Sequence, residues 1–195
     1  DISEFEGSRT GAATQCYDDA TSAAYRALQE VRKPLVAMIH GFCVGGGMAA
    51  ALLADLRYAA EDSLFAIPAA RLGLGYPVEG VKTLVDLAGP AIANEVFFTA
   101  RTYDSEQALR FGFVNNVFPK DDLEEEVIDI ATRIASNAPL TLESIKLASR
   151  ELQRPVLERD DEALERSVRR CFESADYREG VRAFLEKRSP EFKGR

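Results

Sequence analysis

The spacing of apolar residues changes along this chain, from a helical period near the start to short unbroken runs and then back to a helical period. The first part predicts a helix over residues 15–31. This helix ends at Lys33 and Pro34, because the residue before a proline disfavours helical backbone. Unbroken apolar runs bounded by polar turns then predict buried strands. These strands are predicted over residues 35–39, 56–60 and 64–67, with a turn at Glu61, Asp62 and Ser63.

After the third strand the helical period returns, interrupted by one further strand. Helices are predicted over 78–87, 91–98 and 105–111, and the strand over 114–118. Two apolar stripes predict later helices: Leu123, Val127, Ile130, Ala131 and Ile134, then Leu157, Leu164, Val168 and Cys171. Pro139 and Pro155 are predicted to begin helices. Strands followed by helices alone predict an α/β core over residues 1–137 and a helical C-terminal region over residues 138–195.

Three consecutive glycines, Gly45, Gly46 and Gly47, separate the first strand from a predicted small-residue helix over 48–53. Glycine has no Cβ, so a ligand can approach the backbone amides of a helix start, where negative charge is favoured. A structural turn explains the same residues, since glycines also permit close packing. Gly-Lys-Ser/Thr and GxGxxG, the signatures of phosphate-binding loops, do not occur here. The pattern leaves an active-site turn and a structural turn open.

Composition and charge narrow the classes of partner. The 195 residues are 46% hydrophobic, enough for one sizeable core, and the net charge of −8 argues against nucleic acid and anionic membrane surfaces. His40 and the glycines interrupt the apolar run, and Asp55 ends it before membrane-spanning length. The three cysteines form no CxxC pair, which favours a reducing compartment such as the cytoplasm. With one histidine, a multi-histidine zinc site is excluded, and no metal site is predicted.

The ordered motifs of the chain resemble one enzyme family over nearly its whole length. HGFCVGGG is followed by DLRYAAEDSLFAIPAARLGLGY, then by LAGPAIANEVFFTARTYDSEQALRFGFVNNVFP, and the chain finishes with SADYREGVRAFLEKRSPEFKG. This series is similar to the enoyl-CoA hydratase/isomerase (crotonase) superfamily, which binds acyl-CoA thioesters. The resemblance implies a crotonase-like spiral of ββα turns, a helical tail that trimerises or covers a neighbour's active site, and a homotrimer or dimer of trimers.

The resemblance also implies an oxyanion hole that stabilises a thioester enolate, with the Gly46 amide as one of two donors. The other donor belongs to an Ala-Gly-x-Asp motif that would lie just before Asp1, so the chain is interpreted as the C-terminal portion of a longer domain that lacks the first turns of the spiral. The acyl-CoA thioester is the substrate, and no further cofactor is expected. The implied CoA-binding residues are Asp1, Ile2, Val44, Gly45, Lys187 and Lys193.

The sequence departs from the hydratases at the two positions that carry their catalytic glutamates. One lies two residues after the triple glycine and the other ends a Phe-x-x-Pro-Glu turn; here they are Ala49 and Ala69. Neither alanine can transfer a proton, so the two-glutamate hydration is in doubt. Glu79 either favours the start of its helix or serves as a replacement acid or base.

The other polar residues near the glycines have simpler interpretations. His40 is expected to be a hydrogen-bonded structural residue, and Cys43 a packed thiol. Arg71 either orients a substrate carboxylate or forms a surface salt bridge. Tyr76 is the sharper candidate, because RLGLGYPVEGVKTL resembles the corresponding loop of methylmalonyl-CoA decarboxylase, in which a tyrosine occupies this place.

Three hypotheses follow from the sequence. The first is an acyl-CoA-processing lyase of the family, with Gly46, Tyr76 and Glu79 as the catalytic candidates. The second is a malonyl-type decarboxylase, whose chemistry generates the enolate without a base. The third is a CoA-binding homologue that kept the fold and lost the chemistry, since fold does not guarantee function.

Overall fold

A computed structural model describes residues 12–195, which belong to two compact units that divide between Val31 and Arg32. In the first unit, helix α1 spans Ala12–Glu30 and confirms the predicted helix over 15–31. All other elements belong to the second unit. The predicted boundary at residue 137 stays a prediction.

The strands of the second unit form two parallel sheets. β1 (Val36–Ile39), β3 (Leu56–Ala60) and β5 (Asn116–Phe118) form a three-stranded sheet in the order β1-β3-β5. β2 (Phe42–Val44) pairs with β4 (Leu64–Ala66) in a separate two-stranded sheet. Parallel strands need crossover connections, and the intervening helices supply them.

A corner at Gly41 explains why β2 was not predicted. Gly41 has φ 62°, in the left-handed region that favours glycine, so the apolar run turns sharply and its two halves join different sheets. The turn at residues 61–63 separates β3 from β4 in the same way. The two corners are linked, because the Leu64 amide donates to the Gly41 carbonyl at 2.9 Å and Ser63 Oγ donates to the Ile39 carbonyl at 3.1 Å.

A buried arginine shortens the last predicted strand. Arg57 Nε donates to the Phe113 carbonyl at 2.7 Å, and Nη1 donates to the Ala54 carbonyl at 2.6 Å. Its backbone amide donates to Asn115 Oδ1 at 2.8 Å, so residues 113–115 bind Arg57 and the regular ladder of β5 begins only at Asn116. Burial lowers the pKa of the Arg57 guanidinium.

The helices follow the predicted order, with α2 beginning two residues earlier than predicted. Their bounds are α2 Gly46–Ala51, α3 Val78–Ala88, α4 Pro90–Thr99, α5 Ser105–Arg110, α6 Leu123–Ala135, α7 Pro139–Leu152, α8 Asp161–Glu173 and α9 Ala175–Glu186. Short 3₁₀ turns span Ala69–Leu72 and Val156–Glu158. Pro139 begins α7 as predicted, whereas Pro155 precedes only the second 3₁₀ turn.

The core lies between the sheets and the helices that cover them. Its largest fully buried members include Met48, Phe65, Leu84, Tyr103 and Phe113. A second cluster forms where Leu123 and Val127 of α6 cover Tyr58 of β3, which confirms the inner face of that predicted stripe. The second stripe was wrong at Leu157, which is fully exposed and lies before α8 begins. The α/β fold with a helical C-terminal region is confirmed.

Candidate functional site

The glycine turn lies at the carboxyl ends of two paired parallel strands, the edge where α/β sheets bind ligands. Val44 of β2 is paired with Ala66 of β4, and the Gly45 amide donates to the Ala66 carbonyl at 2.8 Å. Gly45 then adopts φ 56° and ψ −118°, a backbone conformation that residues with a Cβ rarely adopt. The turn thus requires glycine at position 45 and directs the chain into α2.

The next two glycines lie at the start of α2 and are exposed. Gly46 is the first helical residue, and Gly45 at the N-cap has no side chain with which to cap the helix. Among the atoms of the described residues, none lies within 4 Å of a Cβ built at Gly45 or Gly47. Close packing therefore does not explain the missing side chains at these two positions.

The segment after β4 forms the other side of this sheet edge. It passes through Pro68 into the 3₁₀ turn Ala69–Leu72, and the Leu74 amide returns to the Ala69 carbonyl at 3.0 Å. Ala69 is buried in the main core, and Ala49 on α2 is half-buried. At both positions where the hydratases that this sequence resembles carry a carboxylate, the chain has the methyl group of an alanine.

Tyr76 and Glu79 flank the start of α3. The Tyr76 ring is half-buried, with its centroid 4.8 Å from that of Phe97 on α4. Glu79 is exposed in the first turn of α3, where the helix dipole favours a carboxylate. Arg71 is also exposed, at the end of the 3₁₀ turn.

The two other polar candidates near the turn have different outcomes. Cys43 on β2 is buried, and burial raises the pKa of its thiol to about 11, so it is a packed thiol as predicted and is protonated at neutral pH. His40 is exposed directly after β1, and its interpretation as a hydrogen-bonded structural residue stays a prediction. In residues 12–195 no three histidine, cysteine or acidic side chains are grouped as a metal site requires.

The predicted tail lysines separate in the structure. Lys187 ends α9 in a left-handed conformation with φ 55°. Lys193 instead lines a groove of about 710 Å³, together with Arg178, Arg182, Arg188 and Arg195. Sequence reasoning missed Arg178, Arg182 and Arg195, although Arg178 and Arg182 stand four residues apart and therefore share one helix face.

Part of this basic groove is already neutralised by Glu179. Arg188 Nη1 lies 2.6 Å from Glu179 Oε1, and Arg188 Nη2 lies 3.1 Å from Oε2. Arg182 also pairs with this carboxylate, and the Glu191 amide donates to it at 3.1 Å. The Arg188 bond is the largest of the causes that lower the pKa of Glu179 to about 2. Arg178, Lys193 and Arg195 remain the groove cations without an ion-pair partner among the described residues.

Two of the predicted CoA-binding residues, Asp1 and Ile2, lie outside the described residues. Val44 and Gly45 lie together at the end of β2, beside Gly46. Within residues 12–195, no helix is long and apolar enough to cross a membrane.

Comparison with known proteins places this geometry in a family. The family model described as enoyl-CoA hydratase/isomerase matches residues 1–195. A carnitinyl-CoA dehydratase from Salmonella typhi is 36% identical over 170 residues, which are 85% of this chain and 65% of that protein. The 2,3-dehydroadipyl-CoA hydratase of Escherichia coli is 32% identical over 178 residues, which are 91% of this chain and 70% of that protein.

A solved structure shares the fold over the full length of this chain. It is described as an enoyl-CoA hydratase/carnithine racemase from Magnetospirillum magneticum, with a TM-score of 0.93 and 31% identity, and the match covers 100% of this chain and 73% of that one. The chain spans 65% of the length of the Salmonella dehydratase. The sequence motifs, the two parallel sheets and these matches agree: the chain belongs to the enoyl-CoA hydratase/isomerase family.

Proposed function

We propose that this protein is an acyl-CoA-processing enzyme that stabilises a thioester enolate at the glycine turn. The observation that carries the proposal is the turn itself, which lies at the carboxyl ends of β2 and β4 and exposes Gly46 and Gly47. No atom of the described residues lies within 4 Å of a Cβ built at Gly45 or Gly47. A thioester carbonyl beside the Gly46 amide receives a hydrogen bond that strengthens as its oxygen becomes negative. One such donor contributes about 2.7 to 4 kcal/mol of transition-state stabilisation.

The family also narrows the substrate to CoA thioesters, as the printed names of the two relatives above indicate for those proteins. Val44 and Gly45 would lie along the thioester, with Asp1 and Ile2 contributing from outside the described residues. Lys193 would meet a CoA phosphate from the basic groove, with Arg178 and Arg195 as neighbours. Lys187 would act as a second tail cation.

Hydration by two glutamates is not supported, because Ala49 and Ala69 present methyl groups. Addition of water needs a base to activate the water and an acid to protonate the α carbon. Glu79 is the proposed replacement for either role, and its exposed position leaves it accessible to a substrate.

Decarboxylation of a malonyl-type thioester is the second candidate, because the loop around Tyr76 resembles that of methylmalonyl-CoA decarboxylase. In this reaction the bond between the α carbon and the carboxylate breaks, carbon dioxide leaves, and the electron pair remains on the thioester as an enolate. A proton then adds to the α carbon. The first step requires an oxyanion hole and no base, and Tyr76 would orient the substrate or supply the proton.

Two assays of the full-length protein separate these reactions. With methylmalonyl-CoA, carbon dioxide release that Tyr76→Phe abolishes would support decarboxylation. With crotonyl-CoA, ordinary hydratase rates that Glu79→Ala leaves unchanged would contradict the importance of Ala49 and Ala69. If calorimetry detects acyl-CoA binding and no thioester is turned over, the protein is a non-catalytic CoA-binding homologue.

We further propose that the protein forms a homotrimer or a dimer of trimers through its helical region, in the cytoplasm. Large apolar side chains of α8 and α9 are exposed, among them Phe172, Phe184 and Leu185. Residues 138–195 carry 13 lysines and arginines against 12 acidic residues, so copies meeting there do not repel strongly. Light scattering after chromatography tests this proposal: Phe172→Ser with Phe184→Ser should lower the mass, whereas Phe98→Ser on α4 should not.

A further inference from the structure

The Tyr76 ring is enclosed by two helices that follow it in the chain. Tyr76 precedes Pro77, the N-cap of α3, so helical backbone is disfavoured at Tyr76. Its ring lies over the first turn of α3, where a Cβ built at Gly80 would be only 2.5 Å from Cε1 and 3.2 Å from Cδ1. No real Cβ contact is this short, so any larger residue at position 80 must displace the ring.

Gly80 is not required by its own backbone. It does not have a positive φ, and it lies inside a helix, where glycine is among the least favourable residues. The three atoms nearest to a Cβ at this position all belong to the Tyr76 ring. The structural effect of glycine at position 80 is therefore the space that it leaves for Tyr76.

Phe97 makes a second contact with the same ring. Its ring centroid is 4.8 Å from that of Tyr76, with 57° between the ring planes, a favourable arrangement for aromatic pairs. Phe97 is half-buried and packs against the main core, so it cannot move away easily. The Tyr76 ring is thus restrained by the first turn of α3 and by an aromatic side chain of α4.

We propose that Gly80 and Phe97 are positioning residues, which fix the Tyr76 phenol for its role at the thioester site. This inference rests on the proposed function of Tyr76. The inference concerns the reaction rate as well as stability. If the ring were held only for stability, shifting it would not change the contribution of its hydroxyl to the rate. A misplacement of about 1 Å can lower a rate roughly 100-fold.

The kinetic test combines Gly80→Ala with Tyr76→Phe in the full-length protein, using methylmalonyl-CoA as the substrate. With Tyr76 present, Gly80→Ala should lower kcat by roughly ten- to 100-fold and leave KM within about twofold. In the Tyr76→Phe variant, any residual kcat should not fall further with the same change at Gly80. Equal losses in both backgrounds, or an unchanged kcat with Tyr76 present, would overturn the proposal.

Two matched controls, Gly75→Ala and Phe98→Leu, belong to this test. Gly75→Ala lies in the same loop, and among described atoms none is within 4 Å of a Cβ at that position, so kcat should not change. Phe97→Leu should loosen the ring and lower kcat, whereas Phe98→Leu, at an exposed neighbour, should not. If Gly75→Ala lowered kcat as much as Gly80→Ala, or Phe98→Leu as much as Phe97→Leu, the assignment would be contradicted.

A second readout separates this inference from the function on which it rests. In protein labelled with ¹³C-tyrosine, the ring resonance assigned through Tyr76→Phe should shift with Gly80→Ala and not with Gly75→Ala. An unshifted resonance would overturn the positioning role whatever the rates. A shifted resonance, in a protein whose turnover Tyr76→Phe leaves unchanged, would retain the contact and reject the role proposed for Tyr76.

Discussion

Two helix starts in this chain are satisfied in opposite ways. At α9, Ser174 Oγ accepts the Tyr177 amide at 2.9 Å, and the main-chain oxygen of Arg195 accepts the amides of Ala175 at 2.7 Å and Asp176 at 3.2 Å. At α2, the N-cap is Gly45, which has no side chain to offer. At α9 the chain's own atoms accept the hydrogen bonds of the first amides, whereas at α2 no capping side chain does so, and this is where we propose that the thioester binds.

The difference shows how an anion could be recognised in each place. At α9 the chain's own atoms occupy the helix-start amides, so only the side chains of the basic groove can meet a ligand there. The glycine turn belongs to a part of the chain that is acidic overall, since residues 1–137 carry 11 lysines and arginines against 20 acidic residues. In the proposed function, backbone amides and not cationic side chains stabilise the negative oxygen at this turn.

The substitution with the largest expected effect removes the backbone N–H at the start of α2. Gly46→Pro deletes the N–H at a position where proline is well tolerated, and Gly46→Ala retains it. We expect Gly46→Pro to lower kcat of the full-length protein about 100- to 1000-fold, roughly 2.7 to 4 kcal/mol. Steady-state kinetics checks this result. Similar rates for the two variants, with both folded by circular dichroism, would remove Gly46 from the oxyanion hole.

Removing the Asp176 carboxylate, which binds the C-terminal tail to α9, should have the next largest effect. The buried Asp176 carboxylate accepts the amides of Lys193 and Gly194, each at 2.7 Å. Bonds to a charged acceptor stabilise by about 1.5 to 3 kcal/mol each, so Asp176→Ala should lower the free energy of unfolding by about 3 kcal/mol. Urea denaturation measures this loss.

The control for this prediction is an exposed aspartate at another helix start. Asp161→Ala, in the first turn of α8, should cost less than about 1 kcal/mol. Asp176→Asn keeps one acceptor oxygen and should give an intermediate loss. Equal stability of Asp176→Ala and Asp161→Ala would show that the tail does not hold α9.

The sequence predicted the features that depend on neighbouring residues. Apolar runs located β1, β3 and β4. β2 was missed because its separation from β1 depends on the backbone angle at Gly41, and an apolar run gives no sign of which sheet each half joins. The local pattern thus predicted the individual strands, but it did not predict which strands pair in the same sheet.

Features built from distant residues could not be predicted in this way. The basic groove exists because Asp176 draws the tail back over α9, which brings Lys193 and Arg195 beside Arg178. Leu157 continued an apolar stripe in the sequence, but the segment after Pro155 forms only a short 3₁₀ turn and leaves this leucine exposed. The Tyr76 enclosure depends on Phe97, 21 positions further along the chain.

A smaller contrast lies within the glycine turn itself. Gly45 has φ 56° and Gly47 does not have a positive φ, while neither has an atom of the described residues within 4 Å of a built Cβ. Gly45→Ala should therefore lower the free energy of unfolding by about 1 to 3 kcal/mol through backbone strain alone. Gly47→Ala should raise it by about 0.4 to 1 kcal/mol. Urea denaturation of both variants checks the opposite signs, and equal losses would contradict them.

The smallest expected effect is a pH dependence of the free energy of unfolding that comes from Glu179 on α9. Hydrogen bonds from Arg188, Arg182 and the Glu191 amide lower the pKa of Glu179 from 4.5 to about 2. The unfolded chain therefore binds a proton at Glu179 before the folded chain does, and this carboxylate stabilises the fold above pH 4.5. That contribution is lost as the pH falls from about 4.5 to about 2. Urea denaturation between about pH 6 and about pH 2.5, wherever unfolding is reversible, should show a shallower decline for Glu179→Gln than for Glu165→Gln on the exposed surface of α8. Parallel declines would mean that the Arg188 pair contributes nothing to holding the tail, leaving the Asp176 carboxylate as the group that binds the tail to α9.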